Sequence, residues 1–158
     1  MEQRYSAPIE QVFGLLTDPK WLEARSRALG ELSSKVKTRK TGKGVSVSMM
    51  RHVKCDLPVR VAKVLPAELD LQFEEAWTPA EAGFHGAYSM EILNQPVKAT
   101  AEFTLESNGK GCVYRILHHA KCKIPLLGGA AARYVQAHVE TSCAAEFAYL
   151  VDWLKTHK

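Results

Sequence analysis

Glu146 is at odds with its neighbours in the stretch VQAHVETSCAAEFAYLVDWL, Val135 to Leu154. At about 100° per residue, Ala132, Val135, Val139, Cys143, Glu146, Leu150 and Trp153 share one sector of a helix, with Ser142 and Tyr149 at its edge. A carboxylate near the middle of an apolar face has two uses. It can pair with a cation such as Arg51 or Arg60 on a facing sheet, which is the commoner arrangement. It can also face a cavity, where it orients a ligand's polar end or, with a raised pKa, acts as an acid or base. His138 lies one step round the same helix, towards Tyr134 and Ala145. His118 poses a parallel question on a strand. Cys112, Tyr114, Ile116, His118, Ala120 and Cys122 alternate onto one side, and Val113, Arg115, Leu117, His119 and Lys121 onto the other, more charged side. The pattern predicts that His118 points inward, either to hydrogen-bond in the core, as lone histidines more often do, or to serve a site.

Other reactive residues form no pattern with a known chemistry. A metal needs three or four converging ligands, yet His118 and His119 point to opposite faces, His52 and His85 lie elsewhere, and no HExxH occurs. Neither a structural nor a catalytic metal is expected. No serine or cysteine sits in a GxSxG elbow, and there is no GxGxxG or P-loop, so no nucleotide cofactor is expected either. Cys55, Cys112, Cys122 and Cys143 lack CxxC spacing and read as small buried hydrophobes in a reducing compartment, with no N-terminal secretion signal, which fits a cytoplasmic protein.

These residues need elements to hold them, and hydrophobic periodicity supplies the order. Glu2 to Tyr5 reads as a short first strand. Ser6-Ala7-Pro8 offers a capping hydroxyl and a first-turn proline, so a helix carrying Ile9, Val12, Phe13, Leu15 and Leu16 is expected to follow. Thr17-Asp18-Pro19 interrupts it, and Trp21, Leu22, Arg25 and Leu29 mark a second short helix ending near Gly30. From Leu32 the period becomes two, giving a hairpin whose strands run to Thr38 and from Val45 to Val53 around the turn Thr41-Gly42-Lys43-Gly44. Asp56 to Pro66 fits a strand, a helical turn or an irregular connection equally well. Leu69 to Trp77, Phe84 to Leu93, Val97 to Glu106 and Cys112 to Ile124 follow as strands, the turns being Asn94-Gln95-Pro96 and Asn108 to Gly111. After Gly128-Gly129 comes a run of roughly 26 residues without proline or glycine, longer than a typical globular helix.

The predicted class is therefore α+β: one strand, two short helices, a run of antiparallel strands and a long closing helix. A chain of 158 residues, 46% hydrophobic and 24% charged, fits one globular domain over residues 1–158. At this size a chain buries roughly two-thirds of its unfolded surface, enough for a core and for a cavity within it. The long helix is no membrane span, because His138, Glu140, Glu146 and Asp152 would lie in hydrocarbon at about 2.5 kcal/mol or more per ionised group. The net charge of +4 is spread among seventeen acidic residues. Its densest run, Lys35 to Lys40 with Lys43, alternates as a solvated strand does and lacks the interleaved aromatics of a nucleic-acid surface.

This order of elements, over essentially the whole chain, resembles the START, polyketide-cyclase and birch-pollen-allergen superfamily (SRPBCC). Its helix-grip fold wraps a curved antiparallel sheet around a long C-terminal helix. Glu74-Glu75-Ala76-Trp77, Asn94-Gln95-Pro96-Val97 and Lys121-Cys122-Lys123-Ile124-Pro125-Leu126-Leu127-Gly128-Gly129 look like segments of a bacterial branch known as a domain of unknown function. In that branch a lysine or similar residue and a glutamate typically follow the glycine pair. Ala130-Ala131-Ala132-Arg133 stands here instead, so no role of those charged positions carries over.

The resemblance implies a cavity for an apolar ligand and no particular reaction, since one fold hosts many functions. The leading expectation is a carrier of a small hydrophobic or amphipathic molecule, lipid-like or aromatic, between sheet and C-terminal helix. Phe73, Met90, Ala101, Phe103, Tyr114, Val139 and Leu150 would form apolar walls, Ala99 and Ala101 would leave space, and His118, Glu146 and Arg51 would fix orientation. One alternative is a cyclase or dehydratase in which His118 or Glu146 moves protons. Another is a protein-interaction module with a collapsed core.

Overall fold

A computed structural model describes residues 1–123 and 128–157. Strand β1 (Glu2–Tyr5) leads into helices α1 (Ile9–Leu16) and α2 (Pro19–Ala28). Strands β2 (Ser33–Thr41), β3 (Gly44–Lys54), β4 (Glu68–Ala80), β5 (Gly83–Ile92), β6 (Val97–Asn108) and β7 (Gly111–Cys122) follow, and helix α3 (Gly128–Thr156) closes the chain. The class is α+β, as expected, with seven antiparallel strands in the order β1-β7-β6-β5-β4-β3-β2 forming a curved open sheet around α3. Ile124 to Leu127, which include the expected strand end at Pro125, lie outside the described residues.

The start of α1 corrects the expected cap. Ser6 does not cap it: Pro8 occupies the N-cap position without a side-chain hydrogen bond, and the backbone N–H groups of Gln11 and Val12 return to the Pro8 carbonyl at 3.1 and 3.2 Å. Asp18 does cap α2, its carboxylate accepting from the Lys20 N–H at 2.9 Å while Pro19 fills the first turn. The helix ends at Leu29, and Gly30 reverses the chain at φ 85°, a conformation that costs glycine little.

Alternation along β2 to β7 sets one buried and one wet face. Leu69, Leu71, Phe73 and Trp77 of β4 point inward, as do Tyr88, Met90 and Ile92 of β5 and Val97, Ala99, Ala101, Phe103 and Leu105 of β6. Register across β4 and β5 places Trp77 opposite Gly86. A Cβ on Gly86 would collide with the Phe103 ring and the Ala76 carbonyl, so only glycine lets Phe103 lie against Trp77, ring centroids 4.4 Å apart. Edge strand β2 carries the basic run on its open side and is covered by α2: the Val36 N–H donates to Glu23 at 2.9 Å, which blunts strand pairing there.

The connection from Asp56 to Pro66 is a pair of helical turns. The Ala62 N–H donates to the Pro58 carbonyl and the Leu65 N–H to the Val61 carbonyl, each at 2.9 Å, and Val61 and Leu65 are buried. On α3 the buried stripe is Ala131, Val135, Cys143, Phe147, Leu150 and Leu154. It is rotated about one position from the expected sector, because Tyr114 takes Phe147 as its edge-on partner at 5.4 Å. Trp21 of α2 packs on Tyr149 and Trp153, at 5.6 and 6.3 Å, and ties the two helices together. No helix is long and apolar enough to cross a membrane among the described residues.

Candidate functional site

Between the concave face of the sheet, α2 and α3 lies a cavity of about 250 Å³. This exceeds the roughly 150 Å³ apolar cavity that accepts benzene and lies just under the range of about 300–1,000 Å³ for drug-sized pockets. Its walls include Leu71, Phe73, Trp77, Met90, Ile116 and Leu150. Arg51, Phe73, Met90, Tyr114, His118, Val139, Glu146 and Leu150 all line it. Ala99, Ala101 and Phe103 face inward and are buried but do not line it. The two alanines stand opposite Ala120 and His118 on β7, the residues whose backbone Gln136 of α3 holds, so the helix is anchored to the sheet beside them. Phe103 is occupied by Trp77 and by Tyr114 at 6.0 Å.

One side of the cavity is charged. Glu146 lies between two buried guanidiniums: its Oε2 is 3.2 Å from Arg25 Nη1, and its Oε1 is 3.1 Å from Arg51 Nη2. Arg51 also holds Glu31, through Nε at 2.8 and 3.1 Å and through a further contact from Nη2, and its guanidinium lies 4.9 Å above the Phe73 ring. Arg25 lies 5.7 Å over the Trp21 ring. Burial pushes the Glu146 pKa up, but Arg25 and then Arg51 outweigh it, leaving the carboxyl below its ordinary value and ionised. Of the two cations expected for Glu146, Arg51 is present and Arg60 is exposed on the connection, Arg25 taking the second place. Arg25 had a sequence signal, a charge at helical spacing among Trp21, Leu22 and Leu29, but its partner lies on a different helix.

The third carboxylate lining the cavity, after Glu146 and Glu31, is Glu75, inward on β4 between Phe73 and Trp77. Trp77 Nε1 donates to its Oε2 at 3.1 Å, and among the described residues it makes no ion pair. Desolvation dominates, so its pKa is pushed up to about 7 despite the Trp77 hydrogen bond and the more distant Arg25 and Arg51. The signal was again local: one acidic residue within the alternation Leu71, Phe73, Glu75, Trp77.

His118 is buried on β7, its ring 5.9 Å from Tyr88, and burial lowers its pKa. Gln136 of α3 pins that strand by donating to the His118 carbonyl at 3.3 Å and accepting from the Ala120 N–H at 3.0 Å. His138 lines the cavity 3.9 Å from Cys55 Sγ, stacked on Tyr134. Burial and then Arg51 lower its pKa, so both histidines are neutral near pH 7. Burial raises the Cys55 thiol and pushes Cys143 up to about 12, which leaves both thiols protonated and poor nucleophiles. Four buried polar atoms have no partner among the described residues: Tyr5 Oη, Trp21 Nε1, Arg25 Nε and Ser26 Oγ. No group of three or more His, Cys, Asp or Glu side chains converges to hold a metal ion among them.

Comparison with known proteins gives a family and a fold. The family model described as "Protein of unknown function (DUF2505)" matches residues 1–154. A crystal structure of a Thermus thermophilus protein is similar at 18% identity and TM-score 0.69, covering 100% of this chain and 97% of that one. An uncharacterized protein from Rhizobium leguminosarum is similar at 13% identity and TM-score 0.60, covering 99% and 93%. A Mycobacterium smegmatis protein is similar at 11% identity and TM-score 0.59, covering 99% and 90%. At these identities the likeness is one of fold. No curated protein matches.

Proposed function

We propose that this chain, which belongs to the DUF2505 family, is a helix-grip protein of the SRPBCC kind that holds a small hydrophobic or amphipathic molecule between its sheet and α3. The observation that carries the reading is the cavity of about 250 Å³, apolar over most of its wall and charged on one side. Apolar walls bind by removing ligand surface from water, at roughly 25 cal/mol per Å². A few fixed polar groups then select orientation. Arg51, Glu146, Glu75 and His118 are those groups. The volume favours a compact occupant, one or two rings or a short chain, over a full-length lipid tail.

Native mass spectrometry of the purified protein, followed by organic extraction and by titration with 2-phenylethanol and indole, tests this. A reproducible co-purified compound, or saturable binding of either probe that Leu150→Trp abolishes, is the expected result. Absence of any bound compound together with no binding of either probe overturns it.

A second reading, an enzyme of the cyclase or dehydratase kind, has one observation in its favour. Two carboxyls share the cavity with pKa values pushed apart, Glu75 upward and Glu146 downward, the division that separates an acid from a base. It requires turnover of a polyketone-like substrate that Glu75→Gln or Glu146→Gln removes while ligand affinity persists. An interaction module with a collapsed core has the least support, because the space under the sheet is open.

A further inference from the structure

Lys54 at the cavity's edge is exposed, and the buried charges around the cavity do not balance. Arg25 and Arg51 are matched by Glu146 and Glu31 within one connected cluster, which leaves Glu75 as the one carboxylate there without an ion-pair partner among the described residues. Its surroundings are aromatic. Phe73 and Trp77 flank it two residues away on the same face of β4, and Tyr88 stands directly opposite it on β5. The Phe73 and Tyr88 rings are 5.5 Å apart, and Tyr114 lies 6.0 Å from Trp77. All four rings line the cavity with Glu75. A carboxylate among aromatic faces is the arrangement that recognises an ammonium group, the carboxylate supplying the counter-charge and the ring quadrupoles replacing lost hydration. The protein already uses that chemistry on itself, since the Arg51 guanidinium lies 4.9 Å above the Phe73 ring.

We propose that the cavity's occupant is a compact hydrophobic amine, bound as its ammonium ion against Glu75 with its apolar body among Phe73, Trp77, Tyr88 and Tyr114. The inference rests on the cavity reading above and adds the charge of the ligand. Without an ammonium, Glu75 avoids the cost of a buried unpaired charge by holding a proton, and its pKa of about 7 is the mark of that choice. With an ammonium beside it, the carboxylate ionises. Binding below pH 7 therefore expels the Glu75 proton to solvent. The other charged or titratable groups that face Glu75 are Arg25 of α2, Arg51 of β3, Tyr88 of β5, Tyr114 of β7 and Glu146 of α3. A guanidinium does not titrate in this interval, both tyrosines stay neutral and Glu146 stays ionised, which leaves Glu75 as the source of the proton in this group.

Calorimetric titration of the full chain with 2-phenylethylamine and its neutral isostere 2-phenylethanol, at pH 6 and pH 8, tests the proposal. The amine is expected to bind at least tenfold more tightly than the alcohol at pH 8. At pH 6, the dependence of its binding heat on buffer ionisation enthalpy should report release of close to one proton. Glu75→Gln should remove both effects, bringing the amine's affinity down to the alcohol's and abolishing the proton release. Should that variant not fold, the affinity ratio and proton release in the unmodified protein carry the test alone. If the alcohol binds as tightly as the amine, or amine binding at pH 6 releases no proton, the amine inference falls and the cavity reading stands. If neither probe binds, the amine inference falls, and the cavity reading falls with it when indole also fails to bind and no compound co-purifies.

Discussion

Replacing Glu75 by glutamine should stabilise this protein at neutral and alkaline pH and do little at pH 4. The side chain keeps its shape, and its amide oxygen can still accept from Trp77 Nε1, so the change removes chiefly the ability to ionise. The carboxyl's pKa is about 7 in the folded state against an ordinary 4.5. An acid with a raised folded pKa holds its proton longer when folded. Stability is therefore lost as pH climbs from about 4.5 to about 7, then stays level. A shift of that size corresponds to about 3 kcal/mol at one pKa unit per 1.4 kcal/mol, and water in the cavity reduces it, so on the order of 2–3 kcal/mol is expected. For a chain of this length that is a gain of roughly 4–12 °C in melting temperature at pH 8. Glu146, His118 and His138 have lowered folded pKa values and act in the opposite sense, contributing stability that disappears as pH falls. The curve of variant minus wild type cancels them. Urea denaturation from pH 4 to pH 8.5 measures it. A difference that is flat with pH, or that favours wild type at pH 8, would refute the account of Glu75 as a buried carboxyl without a counter-charge.

Three further outcomes follow from the packing. Glu146→Gln removes the charge shared by Arg25 and Arg51 and leaves Arg25 without its partner, which should cost about 3–5 kcal/mol in urea denaturation at pH 7, with most of the loss restored by Arg25→Met in the same chain. Leu150→Ala deletes a side chain that is 1% exposed and should cost about 2–4 kcal/mol; because Leu150 lines the cavity, it should also enlarge the set of aromatic probes accepted in thermal-shift screening. Gly86→Ala sets a methyl group against the Phe103 ring and the Ala76 carbonyl. It should cost about 1–3 kcal/mol and change the near-ultraviolet circular dichroism of Trp77, whereas Gly42→Ala, in open space at a turn, should leave that spectrum unchanged.

What could be read along the chain was whatever depends on near neighbours. Period-two alternation placed the strands β3 to β7 and the inward face of β6 and β7, including His118, because pleating alone decides which side a residue takes. Period-3.6 spacing placed α1, α2 and α3, and the charge of Glu146 within its apolar face was enough to expect a partner from the sheet. The same local signal was available for Glu75 and Arg25. Each is a charge inside an apolar pattern, but a pattern names no partner.

Only the assembled structure decided which charges meet and where space remains. Arg25 and Glu146 are far apart in sequence and touch because α2 and α3 dock through Trp21, Tyr149 and Trp153, a packing of side chains that no periodicity encodes. Ala99 and Ala101 carry the small side chains that suggest a pocket, yet α3 is anchored through Gln136 to the β7 residues opposite them, and the cavity is lined instead by inward residues of β3, β4, β5 and β7. Residue size sets the most space a position can leave, and the position of the facing element sets whether any is left. The fold could therefore be argued from local chemistry, and the site emerged only when α2 and α3 were brought against one sheet.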